Sequence, residues 1–228
     1  MSWHRAAVIG ASGGIGAALC DALEARGCEV VRFNRSGENA IDLSDEASIA
    51  AAADGMRDSP PDLVLVASGV LHVEGAGPEK SFRDLSPDQL AAYFAINAAG
   101  PALVAKHFLP LFPRDSRAAF AAIGARVGSI TDNGLGGWYG YRASKAALAM
   151  LVKTLSIELG RTHKQALCVA LHPGTVDTKL SEPFQGNVPE GKLFTPEKSA
   201  GAMLDVLDGL GPQDSGGHFA WDGQRIAP

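Results

Sequence analysis

Ala6-Ala7-Val8-Ile9-Gly10-Ala11-Ser12-Gly13-Gly14-Ile15-Gly16 is the stretch that decides the fold. A short apolar run, a glycine-dense turn and a series of helix formers predict a strand, a loop and a helix. Such a unit aims backbone N–H groups and a helix N-terminus at one point, which favours a bound phosphate. Gly10, Gly14 and Gly16 would serve the tight turn, the close approach to a pyrophosphate and the helix–strand packing. Ser12 and Ile15 lie in the same loop. The spacing is G-x-x-x-G-x-G and differs from the G-x-G-x-x-G fingerprint, so a plain strand–helix turn rich in glycine would read the same way.

Outward from this loop, apolar runs recur at 6–10, 29–33, 62–67, 118–123 and 166–171. They are continuous rather than alternating, as strands covered on both faces are. Helical stretches fall between and after them at 15–26, 45–56, 87–112, 141–160 and 196–210. Gly27 can terminate the first and Ser44 can N-cap the second, while Ser86-Pro87 and Thr195-Pro196 read as N-cap followed by Pro at N1. A last short strand is expected at 218–221. Strand–helix alternation predicts an α/β, doubly wound (Rossmann) fold: a mostly parallel sheet with helices on both faces. In such a fold the ligand sits beyond the carboxyl ends of the strands.

The 228 residues, 46% hydrophobic and 20% charged, are read as a single domain spanning 1–228, because no linker or charge block divides them. A net charge of −5 gives no electrostatic footprint for nucleic acid or anionic lipid. Cys20, Cys28 and Cys168 are odd in number and lack C-x-x-C spacing, so neither a metal site nor a disulfide framework is expected. Reduced thiols in a cytoplasmic protein are the plain inference. The uncharged stretch from Arg5 to Cys20 is broken by Gly10, Gly13, Gly14 and Gly16. The uncharged stretch 90–105 contains Asn97 and Pro101 and stops at Lys106. A spanning helix needs about 20 apolar residues, so a buried helix is expected there and no membrane partner.

Two further places carry chemistry. At the end of the second strand, where an acid would bind a ribose 2′-hydroxyl, the chain has Asn34 followed by Arg35. A guanidinium there can pair with a 2′-phosphate, so NADP(H) is favoured over NAD(H); a solvated surface Arg is the plainer alternative. In Tyr141-Arg142-Ala143-Ser144-Lys145, Tyr and Lys at i and i+4 share a helix face. Lys145 is therefore expected to lower the Tyr141 pKa from about 10 and make the phenol an acid–base group.

Together these residues resemble the short-chain dehydrogenase/reductases. The likeness runs over essentially the whole chain. It is carried by the Gly10/Gly14/Gly16 loop, Asn97, Tyr141/Lys145 and His172-Pro173-Gly174-Thr175-Val176-Asp177-Thr178. The resemblance implies Tyr141 as general acid or base, and Lys145 on the nicotinamide ribose. It implies Asn97 as holder of a water that links Lys145 to solvent. Asp42 and Leu43, after a short third strand, would flank adenine. Pro173, Gly174, Val176 and Thr178 would hold the nicotinamide carboxamide.

Two departures stand out. The family's serine lies in a Ser-Ser-x-x-Gly turn, but here that register is Gly124-Ala125-Arg126-Val127-Gly128. Ser129 is the candidate to orient a substrate carbonyl, with Thr131 in reserve. Where the family commonly has Asn-Asn-Ala-Gly, the chain has Val66-Ala67-Ser68-Gly69. Gly69 still admits an adenosine ribose, while side-chain bracing of the sheet would be lost.

Short matches in one loop and the tail, among them Gly128-Ser129-Ile130, are similar to the C-factor and carbonyl-reductase-like branch. The function implied is hydride transfer between NADP(H) and a small-molecule carbonyl or alcohol. An NAD(P)-binding signalling or sensor protein of C-factor type is the alternative. A short, Pro- and Gly-containing lid is expected at 180–194. Leu135, Trp138, Phe184 and Phe194 are candidates for an apolar pocket wall. The long helices are open to pairing across a two-fold, in a homodimer or homotetramer.

Overall fold

Apolar strands without alternation need cover on both faces. The computed structural model, which describes residues 3–73, 75–187, 189 and 191–228, provides it. The elements run β1 (Arg5–Ile9), α1 (Gly14–Ala25), β2 (Glu29–Phe33), α2 (Glu46–Asp54), β3 (Leu63–Val66), α3 (Pro87–Phe94), α4 (Gly100–Phe108), β4 (Ala118–Ile123), α5 (Tyr139–Thr162), β5 (Ala166–His172), β6 (Thr175–Val176), β7 (Leu193–Phe194), α6 (Pro196–Gly209) and β8 (His218–Ala220). Six strands form one sheet in the order β2-β1-β3-β4-β5-β8, and every neighbouring pair is parallel. The order reverses between β1 and β3, so the glycine loop after β1 opens at the switch point.

Side chains alternate between two cores. Ala6, Val8, Leu63, Leu65, Leu167 and Val169 face Leu19 and Leu23 of α1 and Leu204 and Leu207 of α6. Ala7, Ile9, Val64, Val66 and Phe120 face Ile49 of α2, Val104 and Phe108 of α4, and Leu148 and Val152 of α5. Each such large side chain contributes about 1.5–3 kcal/mol by leaving water. Both faces are dry along β1, β3, β4 and β5, which is why those strand sequences read as apolar runs.

Three expectations change in detail. The segment 87–112 is not one helix: a π turn, Ala95–Ala99, separates α3 from α4, and a 3-10 turn, Leu109–Leu111, follows. Pro101 has no N–H to return to the Asn97 carbonyl four residues back, and Gly100 N–H bonds instead to Ala95 O. The N-cap of α2 is Asp45, whose side chain accepts from Ala47 N–H, not Ser44. Ser44 is already engaged as a donor to Asp42. The short third strand before Asp42 shrinks to a single bridge between Asn34 and Ala40.

Gly10 has φ +85°, and a Cβ there would lie 2.5 Å from Ser68 Oγ and 2.9 Å from Ser68 N. Gly27 has φ +83° with open space around it. Gly10→Ala should therefore lower the unfolding free energy by about 1–3 kcal/mol more than Gly27→Ala does. Chemical denaturation measures both, and equal losses would contradict the close approach at Gly10.

Candidate active site

The loop after β1 is held against β2: Gly10 N–H and Ala11 N–H both donate to Phe33 O, at 2.9 and 3.1 Å. A Cβ on Gly16 would sit 2.1 Å from Gly10 O, so the helix can start this close to the strand only with glycine there. Gly14 is less confined: its Cβ position lies 2.8 Å from the Thr178 Cγ2 methyl, a side-chain neighbour instead of backbone. The N-cap of α1 is Gly13, with no side-chain cap bond and no acid in the first turn. The start of α1 thus leaves its first-turn N–H groups uncapped by any side chain, beside exposed Ser12 and half-buried Ile15, with Thr178 against Gly14. The cradle fits an anionic pyrophosphate.

Further along the same edge, Asn34 Oδ1 is buried with no hydrogen-bond partner among the described residues. Arg35 is exposed beside it and forms no ion pair among the described residues. Arg32, by contrast, is committed to Asp21 and Glu24. Asp42 is exposed and accepts from both Ser44 N–H and Ser44 Oγ, which lowers its pKa. Leu43 turns inward against Gly100, whose Cβ position lies 2.8 Å from Leu43 Cβ. Of the pair expected to flank adenine, Asp42 is the one at the surface.

Beyond β4 the structure gathers Asn97, Tyr141, Ser144 and Lys145 into one buried group. Lys145 Nζ donates to Ile123 O at 2.8 Å and lies 5.8 Å from the Tyr141 ring centroid. Gly69 and Gly128 leave room for it. A Cβ on Gly69 would meet Asn97 Oδ1 at 3.3 Å and Lys145 Nζ at 3.6 Å, and one on Gly128 would meet Lys145 Cβ at 2.8 Å. The Asn97 side chain clamps Val70, accepting its N–H and donating to its O, each at 2.9 Å. It also donates to Ser144 Oγ, which donates to Tyr141 O. The clamp ties the π turn to the chain just beyond Gly69.

Electrostatics run opposite to the expectation for Tyr141. Burial, helped by Tyr93, pushes its phenol up to about 12. Burial pulls the Lys145 ammonium down to about 8. The cost of desolvating a phenolate exceeds what a cation at this distance returns.

The expected serine has other partners. Ser129 Oγ accepts Asp132 N–H at 3.0 Å, and Ser129 lines a surface pocket of about 240 Å³ with Arg142 and Ala146, which Tyr141 does not line. Ala125 is the loop residue that shares the Tyr141 cluster, with Leu71 and Tyr93. Thr131 is exposed and bonds to Pro228 O. Ser129 stands twelve residues before Tyr141 and directly follows the 3-10 turn Arg126–Gly128.

After β5, Pro173 O accepts Ser199 Oγ at 2.7 Å, and Gly174 (φ +78°) lies against Phe194 and Trp221. Val176 is buried and pairs with Phe194 between β6 and β7, so the 180–194 segment is anchored at both ends. Phe194 therefore packs behind Gly174 instead of lining an open wall, and Leu135 is 94% exposed. Trp138 stands edge-on to Tyr141. The Phe184 side chain lies outside the described residues. Sequence reasoning missed Ser144, which stood in the quoted motif at i+3 from Tyr141, and Glu79, which gave no signal.

A family model described as short chain dehydrogenase matches residues 4–188. The chain belongs to that family. C-signal of Myxococcus xanthus is 34% identical over 176 residues, covering 77% of this chain and 98% of the relative. The 1-hydroxy-2-glutathionyl-2-methyl-3-butene dehydrogenase of Rhodococcus sp. strain AD45 is 30% identical over 220 residues, 92% of each chain. The crystal structure of NADPH-bound carbonyl reductase from chicken fatty liver superposes over 100% of both chains, with a TM-score of 0.85 and 26% identity. The protein is thus an oxidoreductase of the short-chain dehydrogenase family with a Rossmann-like fold. Among the described residues no helix is long and apolar enough to cross a membrane, and no group of three or more His, Cys, Asp or Glu could hold a metal ion.

Behind Lys145, His172 on β5 and His218 on β8 share a sheet face, with His172 Nδ1 and His218 Nε2 buried and unbonded among the described residues. Burial pulls both down to about 4, reinforced for His172 by His218 and for His218 by Lys145. Both are neutral in the fold and protonate near pH 6.5 when unfolded. Their contribution is full above about pH 6.5 and is lost as pH falls toward 4, by up to about 3 kcal/mol each. Melting temperature should fall steeply between pH 7 and pH 5, and less steeply in the His172→Gln/His218→Gln double variant. Parallel pH curves would contradict this.

Proposed function

We propose that the protein is an NADP(H)-dependent oxidoreductase that transfers a hydride between nicotinamide and a small carbonyl or alcohol substrate, with Tyr141 as general acid/base. One observation carries the reading: Tyr141, Lys145 and Asn97 form a single buried group beside a glycine cradle suited to a pyrophosphate. NADPH, when bound, supplies the hydride. Gly10, Ser12, Gly14, Ile15 and Gly16 would hold its pyrophosphate, Asp42 and Gly69 its adenosine half, and Pro173, Gly174, Val176 and Thr178 its carboxamide.

Tyr141 donates its phenol proton to the carbonyl oxygen in reduction. A pKa of about 12 keeps that proton in place at neutral pH. Lys145 is charged below about pH 8 and holds the ribose hydroxyls from its seat on Ile123 O. Asn97 acts through its backbone: the π turn and Pro101 leave its carbonyl without the usual helical donor, a seat for a water that returns protons to Lys145. Ala125 brings no hydroxyl to Tyr141, so the phenol polarises the carbonyl without help from that loop position.

The NADP preference is supported by Asn34 in the acid's place and by the exposed Arg35. The avian carbonyl reductase with the similar fold has NADPH bound, which points the same way. Buried free thiols at Cys20, Cys28 and Cys168 suit a reducing, cytoplasmic setting. Exposed Met150 and Ile157, seven residues apart on α5, suit a two-fold contact between copies. The likeness to C-signal supports a second reading, a nucleotide-binding signalling protein on the same scaffold.

Oxidation of NADPH with a panel of aldehydes, ketones and quinones separates the two readings. Turnover is expected, and NADPH binding without any turnover would favour signalling. Tyr141→Phe should lower kcat at least about 100-fold while NADPH affinity stays near wild type; equal activity would remove Tyr141 from the mechanism. Arg35→Ala should weaken NADPH but not NADH binding by about tenfold, the loss of one charge-assisted contact. An unchanged preference would defeat the cofactor assignment. The reduction rate should fall above about pH 8 as Lys145 loses its charge; a flat profile to pH 10 would contradict that role.

A further inference from the structure

Glu79 lies in the segment between β3 and α3, with only 2% of its surface exposed. Its Oε2 accepts the N–H of Gly140, the residue before Tyr141, at 3.2 Å. Its backbone carbonyl accepts Trp138 N–H at 2.6 Å. Trp138 is the N-cap of α5 and has φ 55°, the one positive value at a non-glycine position among the described residues. That conformation costs about 1–2 kcal/mol and persists only where neighbours over-determine it.

The packing around this turn is tight. A Cβ on Gly140 would lie 2.5 Å from Tyr93 Cδ2 and 2.8 Å from Glu79 Oε1. Tyr93 and Trp138 both meet the Tyr141 ring edge-on, at centroid distances of 6.2 and 6.1 Å. Tyr93 is itself pinned by its hydroxyl on Leu71 O, at 2.8 Å. Glu79 Oε1 is buried with no hydrogen-bond partner among the described residues. A space-filling residue here would be apolar, because a buried carboxylate is expensive unless something specific compensates it. The compensation present is the positive end of α5, 24 residues long, and the Gly140 N–H.

We propose that Glu79 is the positioning residue for Tyr141: its carboxylate, bonded to Gly140 N–H, fixes the first turn of α5 and the Tyr93–Trp138 cage that aims the phenol. The proposal rests on the reading of Tyr141 as the acid/base group. Glu79 touches neither substrate nor cofactor; it acts through the turn. Glutamine at this position keeps an acceptor for Gly140 N–H, alanine removes it, and aspartate keeps the charge but falls short of the bond.

The test uses Glu79→Gln, Glu79→Ala and Glu79→Asp in the full-length chain, with kcat and KM for NADPH measured alongside 19F NMR of 3-fluorotyrosine-labelled protein. The chain has three tyrosines, and the Tyr141→Phe spectrum assigns the relevant resonance. In Glu79→Ala and Glu79→Asp, kcat should fall about 10- to 100-fold, the cost of a misplaced catalytic group. KM for NADPH should stay within about twofold, since cofactor binding is not what the residue controls. The Tyr141 resonance should shift or broaden. Glu79→Gln should recover kcat to within about threefold of wild type, with the resonance near its original place.

Wild-type kcat and an unmoved Tyr141 resonance in both Glu79→Ala and Glu79→Asp would overturn the proposal. So would a KM for NADPH that rises in step with the loss of kcat, or a Glu79→Gln variant no better than alanine. If alanine does not fold, aspartate carries the comparison. A wild-type protein that reduces no carbonyl refutes the reductase reading alone, because the fluorine spectra still report whether Glu79 orients Tyr141.

Discussion

An ammonium group taken out of water costs several kcal/mol unless the fold gives it a seat and room. Lys145 receives both: its Nζ rests on Ile123 O, the last carbonyl of β4, and its stem slides past Gly69 and Gly128. Much of the surrounding structure follows from keeping that space open. Gly128 has no Cβ because Lys145 Cβ would be 2.8 Å away, and the π turn pulls Asn97 in to clamp Val70 just beyond Gly69. Ser144 then ties the Asn97 side chain to the backbone carbonyl of Tyr141, which links the π turn to the first turns of α5.

The same economy of backbone space governs the cofactor side. The parallel sheet delivers β1, β3, β4 and β5 to a common edge, and the residues just beyond each strand approach so closely that side chains are excluded. Gly16 against Gly10 O, Gly10 against Ser68 and Gly14 against Thr178 are three such contacts. The last is the one that couples the pyrophosphate cradle to the segment after β5. β6 and β7 then pair with each other, Thr175 opposite Leu193 and Val176 opposite Phe194, which ties the chain after β5 to the start of α6.

How much of this was legible in the sequence varied with the range of the interaction. The strand 118–123 coincides with β4 because burial on both faces leaves an unbroken apolar signature, whereas 29–33 coincides with the edge strand β2, where Val30, Val31 and Phe33 carry the signal between Glu29 and Arg32. The π turn at Ala95–Ala99 left no such mark, since its apolar residues fit an uninterrupted helix and only Pro101 hinted at the change. The chain separation of Ser129 from Tyr141 carried no sign of the 3-10 turn between β4 and Ser129, nor of Ala125 joining the Tyr141 cluster. The Tyr141–Lys145 pair was legible from helical spacing, but the direction of the Tyr141 shift depends on burial, which spacing does not encode. Glu79 was invisible, because a glutamate in a loop reads as a solvated charge until the N-terminus of α5 is laid over it.

In the proposed function the buried Tyr141–Lys145–Asn97 group sits where a nicotinamide ring delivers hydride to a carbonyl carbon. The most direct measurement is transfer of deuterium from NADPH labelled at nicotinamide C4 into product, read by mass spectrometry for a carbonyl the protein reduces. Deuterium is expected on the carbinol carbon of the alcohol, delivered from one face of the nicotinamide only. Alcohol that carries no deuterium from either labelled face, or bound NADPH that never transfers it to any carbonyl offered, would contradict it.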